Sequence, residues 1–346
     1  MTDPAPRPAL VELTLARLRL FVREPSALFW TFGFPIILGV ALGIAFRNKP
    51  PDPAIVAVQA GEGAERIRAE IAGDTVRAQV EQEPAARAEL RAGKVSLVVV
   101  PGPPIAYVYD VTRPEARLAR LLVDDRLQRA EGRQDVARVA DVEVTEPGAR
   151  YIDFLIPGLV GLTLMSSSMW GIGYLIVEMR TKKLVKRMLA TPMRRSDFLM
   201  SFVLMRAIFV VVEVPVLFGF GWAAFGVRVT GSILLLLGVS LLGALAFAGI
   251  GLLVASRAEN TQTVGGLMNL VMMPMFVGSG VFFSASHFPD ALQPALRALP
   301  LTALNDALRA IVNEGAGIAD VARPVGLLAG YGVVSFALAV RLFRWR

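Results

Sequence analysis

The stretch ILLLLGVSLLGALAFAGIGLLVA, Ile233–Ala255, runs for 23 residues without a charged side chain. Crossing the hydrocarbon core of a bilayer takes about 20 mostly apolar residues, so this segment sets the reading of the fold. Five more segments satisfy the same rule: Leu28–Phe46, Ile152–Val177, Phe202–Phe225, Val264–Phe283 and Pro324–Phe343. The whole chain agrees. Of its 346 residues 54% are hydrophobic, against roughly 45–50% in soluble domains, and the mean hydropathy is +0.55. This composition excludes a disordered chain and argues against a cytosolic enzyme. With no cysteine there is no disulfide scaffold, thiolate metal site or cysteine nucleophile, and the single histidine, His287, cannot build a multi-histidine zinc site. No cofactor, metal or catalytic residue is expected. A net charge of +7 would suit nucleic acid if the basic residues formed one patch. They flank apolar spans instead, so the expected surface partner is membrane lipid and not nucleic acid.

The same basic residues orient the spans, because cytoplasmic loops are enriched in Lys and Arg. One set of short segments carries sixteen: Arg7, Arg17, Arg19 and Arg23; Arg180, Lys182, Lys183, Lys186, Arg187, Arg194, Arg195 and Arg206; Arg257; and Arg341, Arg344 and Arg346. The alternate short loops hold four, Arg228, Arg297, Arg309 and Arg323. Both termini are therefore expected in the cytoplasm of a bacterial cell. The expected fold is an all-α polytopic inner-membrane protein of six helices with one inserted α/β domain. Residues 1–27 form a cytoplasmic amphipathic helix, 28–46 the first span and 47–150 an extracytoplasmic domain. Residues 151–346 supply spans two to six, a cytoplasmic loop at 178–201 and an outer amphipathic element at 284–323. The length of the arm before the first span favours a signal anchor over a cleaved signal.

The insertion reads as a small soluble module. Ile55–Val58, Val76–Val80, Val95–Val100 and Ala106–Tyr109 have strand character, and Glu62–Ile71, Pro84–Arg91 and Glu115–Arg133 have helical periodicity, giving the order β-α-β-α-β-β-α. It holds 17 acidic and 16 basic residues, and its carboxylates scatter along solvated helix faces without a catalytic grouping.

Two stretches on the cytoplasmic side are amphipathic. Ala9–Val22 places Glu12, Arg19 and Arg23 on one face and can lie in the interface plane; Arg17 falls among the apolar positions, where its stem is expected to snorkel. In the 178–201 loop, Leu184, Val185, Met188 and Leu189 form a stripe opposite Lys182, Lys183, Lys186 and Arg187, stopped at Thr191 by Pro192. Spacing leaves two readings: an anchor on anionic lipid, or a helix that docks on a cytosolic partner.

Inside the spans, Glu213 is an ionisable residue at bilayer depth, with Pro215 two residues on. It is either structural, protonated or paired with another polar group, or a proton relay. Ser166, Ser167 and Met169 in span two, and Asn269, Met272 and Pro274 in span five, either line a path with Glu213 or simply pack. Gly39 with Gly43, and Gly326 with Gly330, allow close helix approach. After span five, Leu301, Leu304, Leu308 and Ile311 form a stripe, with Asn305, Asp306, Arg309 and Asn313 away from it. That element is expected to lie at, or dip into, the outer leaflet, where a polar face inside lipid needs protein cover, and to cap the outer end of the path.

Four motifs, in order, resemble the ABC-2 class of ABC exporter permeases. They are Arg23–Pro35 before and into span one; Ile156-Pro157-Gly158 with Glu178, Arg180 and Lys186–Pro192; Pro274 with Ser279–Phe283; and Pro300–Arg309. The resemblance implies a permease subunit that exports drug-like, lipid or polysaccharide cargo by alternating access. It implies docking of a separate cytosolic ATPase on Glu178, Arg180, Lys183, Leu184, Arg187, Met188, Thr191 and Pro192, with Arg19 and Arg23 of the N-terminal helix. It also implies two permeases, identical or paralogous, working with two ATPases, which bind the ATP. Thr181-Lys182-Lys183 departs from the Glu-x-Gly run of many relatives, which bears on the geometry of that contact. The chain has no G-x-x-x-x-G-K-[ST] phosphate loop, so ATP-driven work is expected from a partner. The competing readings are a proton- or ion-coupled transporter using Glu213, and a non-transporting scaffold with an outer binding domain.

Overall fold

The computed structural model describes residues 9–45, 53–134, 150–184, 195–283 and 288–342. Its contacts divide the chain into two units, Met1–Arg47 with Thr145–Arg346, and Asn48–Val144.

The smaller unit begins with β1 (Ala54–Gln59), α3 (Ala64–Ile71), β2 (Val76–Glu81) and α4 (Glu83–Arg91) and ends with β3 (Leu97–Val100), β4 (Ala106–Val108) and α5 (Pro114–Ala130); α1 and α2 precede it in the other unit. The sheet order is β2-β1-β3-β4, parallel except for the β3–β4 pair. Side chains alternate across a strand, and the two faces are filled accordingly. Val56, Val58, Leu97 and Val99 pack on Ile67 and Ile71 of α3 and Val123 and Leu127 of α5. Ala57 and Val98, on the opposite face, pack on Ala86 of α4.

The larger unit is helical: α1 (Ala9–Val22), α2 (Pro25–Ala45), α6 (Tyr151–Thr181), α7 (Arg195–Phe225), α8 (Ile233–Ala255), α9 (Thr261–Gly278), α10 (Gln293–Ala298), α11 (Pro300–Asn313) and α12 (Ala322–Leu342). α2 and α6 each contain a π-helical segment, Phe29–Gly33 and Met169–Tyr174. Among the described residues five helices are long and apolar enough to cross a membrane: α2, α6, Met200–Phe225 of α7, α8 and α12. The fifth expected segment, Val264–Phe283, is not among them. Its helix stops at Gly278, where Gly280 turns back with φ of 66°, and Gln262, Asn269 and Pro274 lower its apolar character. Gly39 and Gly43 face Phe220 and Phe225 of α7, so that pair serves packing within the chain.

One expectation is corrected by this packing. Arg17 does not snorkel outward: it turns into the bundle, where its Nε donates to Ser201 Oγ at 3.0 Å and its guanidinium lies 3.3 Å from the centroid of the Phe202 ring. A cation over an aromatic face is attracted by the ring quadrupole, which favours this inward rotamer. The polar side of α11 is covered by protein, as an element dipping into lipid requires. Leu301, Leu304, Leu308 and Ile311 are buried, and so is Asn305, while Asp306 stays exposed.

Candidate functional site

Two buried polar clusters border α6, one at its middle and one at its start. At the middle, Arg206 Nη1 lies 3.0 Å from Glu213 Oε2, with side chains only 6% and 0% exposed. Ser167 Oγ lies 3.2 Å from Glu213 Oε1 and 2.5 Å from Thr163 O, and Arg206 Nη2 donates to Leu164 O at 3.4 Å. Buried charge is tolerated when paired and hydrogen-bonded, which is the arrangement here. Beside the pair is a cavity of about 50 Å³ bordered by Thr31, Ser167, Gly171, Phe202, Arg206 and Phe209. Both π-helical segments reach it, through Thr31 and Gly171. It has room for a water molecule, and Arg206 Nε has no hydrogen-bond partner among the described residues. π-Segments recur at functional sites.

At the start of α6 the donors come from α11. Asn313 Nδ2 donates to Asp153 O at 3.2 Å, Arg309 Nε to Phe154 O at 3.2 Å and Asn305 Nδ2 to Ser279 O at 3.1 Å. Arg309 Nη2 donates to Gly280 O, and its guanidinium lies 3.5 Å from the centroid of the Phe154 ring. Tyr151 Oη donates to Phe282 O at 3.2 Å. Burial pulls the Arg309 guanidinium down to about 10, with Asp306 opposing that shift, and burial alone brings Arg17 to about 10. Both remain cations at neutral pH.

The structure joins Ser167 to Glu213 but does not gather the other path candidates around them. Met169 is buried in the core, Ser166 and Met272 are half-buried, and Asn269 and Pro274 lie on the exposed side of α9. That side of α9, with Leu267, Leu270, Met273, Phe276 and Val277, has no cover from the described residues. Of the docking candidates, Arg19 and Arg23 are exposed, as is Leu20 between them. α1 packs on the beginning of α7 through Arg17 and through Phe21, whose ring centroid is 4.2 Å from that of Phe209. Glu178 pairs with Lys182 at 2.7 Å, while Lys183 adopts a left-handed conformation (φ 57°) and Leu184 is exposed. Arg180 faces inward: Nη2 donates to Ala255 O at 3.4 Å and to Ala258 O, and Nη1 to Ser256 O at 3.5 Å. Arg187, Met188, Thr191, Pro192 and His287 lie outside the described residues.

The family model described as ABC-2 family transporter protein matches residues 25–341. The chain belongs to the ABC-2 transporter family. Nodulation protein J of Rhizobium leguminosarum bv. trifolii is 30% identical over 203 residues, 58% of this chain and 76% of that one; the protein of the same name from Rhizobium meliloti is 30% identical over 200 residues, again 58% and 76%. The Dictyostelium discoideum protein ABC transporter G family member 20 is 26% identical over 174 residues, 50% of this chain and 24% of that one. The ABC-2 permease is thus a transport subunit and a multi-pass membrane protein, of a family whose permeases generally work with an ATPase subunit.

Sequence reasoning missed two residues of the permease's buried clusters. Arg206, counted among loop cations, stands seven residues before Glu213, two helical turns away on the same face; that spacing was the available signal. Arg309, counted among outer-loop cations, carries no such signal, since its carbonyl partners are 155 and 29 residues distant.

Proposed function

We propose that this ABC-2 permease exports an amphiphilic molecule, drug-like, lipid or polysaccharide-linked, taken from the cytoplasm or inner leaflet. In this reading six helices span a bacterial inner membrane, with α9 as the fifth. At 18 residues it is about 27 Å long, close to the roughly 30 Å of hydrocarbon. Both termini are cytoplasmic and the smaller unit lies outside. Two permeases, identical or paralogous, form the path between them, and two cytosolic ATPases drive alternating access.

The observation that carries the reading is the packing of α1 along the first half of α7, on Ser201, Phe202 and Phe209. α1 turns Arg17 and Phe21 onto α7 and leaves Arg19, Leu20 and Arg23 outward. A force on that exposed face is delivered straight to α7, next to the Arg206–Glu213 pair. Partnered with Arg206, Glu213 is better suited to holding α6 and α7 together than to relaying protons, which argues against a proton-coupled transporter.

The test is reconstitution with the ATPase encoded nearest to the permease, measuring hydrolysis and export. Replacing Leu184 and Met188 with Asp is expected to cut permease-stimulated hydrolysis at least tenfold while the unfolding temperature of the permease stays unchanged. Unaltered hydrolysis and export in that variant would remove the docking role of the loop.

A further inference from the structure

Residue 157 is proline inside α6, and proline has no N–H to donate to the carbonyl four residues earlier. The carbonyl four residues before Pro157 is Asp153 O, and Asn313 Nδ2 of α11 donates to it at 3.2 Å. One helical turn back along α11, Arg309 donates from Nε to Phe154 O on α6 and from Nη2 to Gly280 O beyond the end of α9. One turn further back, Asn305 Nδ2 donates to Ser279 O, the C-cap of α9. The polar side of α11 thus places donors on Asp153 O, whose i+4 residue is proline, on Ser279 O and Gly280 O past the end of α9, and, as an additional donor, on Phe154 O. Pro157-Gly158 serves the same contact twice: the proline offers Asp153 O no N–H, and the glycine makes room, since a Cβ there would stand 2.6 Å from Val281 O and 2.9 Å from Arg309 Nη2. At Gly161 a Cβ would collide with Asn305 Oδ1.

We propose that Asn305, Arg309 and Asn313 are positioning residues that clamp the start of α6 and the end of α9 into one body, and that this clamp stays shut through the transport cycle. The inference rests on the permease reading and deepens it. The hypothesis that α11 caps the outer end of the path leaves open whether it lifts off to release cargo. Lifting would strip the half-buried Arg309 guanidinium of both its acceptors and take these donors from Asp153 O, Ser279 O and Gly280 O, a costly way to open. On this proposal cargo does not leave beneath α11.

Two experiments test this. In the purified permease, Asn313→Leu is expected to lower the unfolding temperature by a few degrees, about 2–6 °C, as a lost buried hydrogen bond would. Combined with Pro157→Ala, which restores an N–H within the helix, at least half of that loss returns. Equal losses for Asn313→Leu in both backgrounds would overturn the matched pair. Second, the chain has no native cysteine, so Gly161→Cys with Asn305→Cys gives a disulfide without background. In proteoliposomes of phosphatidylethanolamine and phosphatidylglycerol with the cognate ATPase, the oxidised double variant is expected to hydrolyse ATP at no less than the rate of its reduced form. A fall of fivefold or more on oxidation, reversed by dithiothreitol, would show that the clamp has to open. Absence of permease-stimulated hydrolysis in the unmodified complex would instead count against the permease–ATPase reading, and the temperature cycle would still decide the pairing of Pro157 with Asn313.

Discussion

At the scale of single residues, the Arg206–Glu213 pair is where charge and packing are most tightly balanced. Breaking a buried pair by removing one partner costs about 3–5 kcal/mol, because the other charge stays behind, whereas replacing both with apolar groups of similar size is often neutral. Glu213→Ala is therefore expected to reduce folded permease in membranes strongly, and Arg206→Met with Glu213→Leu to recover most of it, as measured by the yield and unfolding temperature of detergent-extracted protein. A double variant as impaired as the single one would mean that the charges serve something beyond mutual support. The sequence singled out Glu213 because a carboxylate at bilayer depth is costly, and the structure supplies its partner. Sequence reasoning named Ser166 and Ser167 together beside Glu213 and could not choose between them. Of the serines and threonine in that run of α6, the one that meets Glu213 is decided by the rotation of α6 against α7, a packing outcome that no local pattern encodes.

At the scale of elements, arginine does a common task at the C-termini of three long helices. Arg150 Nη1 donates to Phe225 O at the end of α7 at 3.0 Å, Arg180 reaches Ala255 O and Ser256 O at the end of α8, and Arg309 reaches Gly280 O past the end of α9. The last turn of a helix leaves carbonyls unpaired and carries partial negative charge, and the forked guanidinium can serve several of them at once. This gives Arg180 a role within the permease. Its guanidinium is occupied by α8, so Arg180→Ala is expected to lower the unfolding temperature by about 2–4 °C, the effect of roughly 1 kcal/mol. Arg180→Lys should lie between, because an ammonium is a single point donor. A substitution that left the unfolding temperature alone and reduced ATP hydrolysis would place Arg180 at the ATPase contact. Helix positions were largely legible: Ile233–Ala255 is read from its apolar run with the same bounds that the structure has. What joins one helix to the next was not, because each of these caps spans 29 to 76 residues of chain. The amphipathic stripe of α11 was legible too, but not its polar side, since a pattern of Asn, Asp and Arg looks the same whether it faces water or backbone carbonyls.

At the scale of the whole molecule, the exposed sides of α9 and α12 differ in a way that bears on assembly. Away from its ends α12 exposes Val333, Val334, Phe336 and Leu338, which suit lipid, and Tyr331, whose hydroxyl donates to Ala298 O; α9 exposes the carboxamide of Asn269 among Leu270, Met273 and Val277. A carboxamide facing hydrocarbon without a partner is costly, and transmembrane helices satisfy such groups across helix–helix contacts. The uncovered side of α9 is therefore the side expected to meet the second permease copy. The cysteine-free chain makes this directly measurable. Met273→Cys on α9 and Val333→Cys on α12 place one thiol each at exposed positions, 63% and 70% accessible, so reactivity alone does not distinguish them. Mild oxidation in native membranes is expected to convert most of the Met273→Cys permease to a covalent dimer on non-reducing gels and to leave Val333→Cys monomeric. Asn269→Leu added to Met273→Cys should slow that cross-linking, because the polar contact that sets the register is gone. Faster dimer formation through Val333→Cys would place the second copy against α12, and the path would then lie along α8 and α12 instead of α6 and α9.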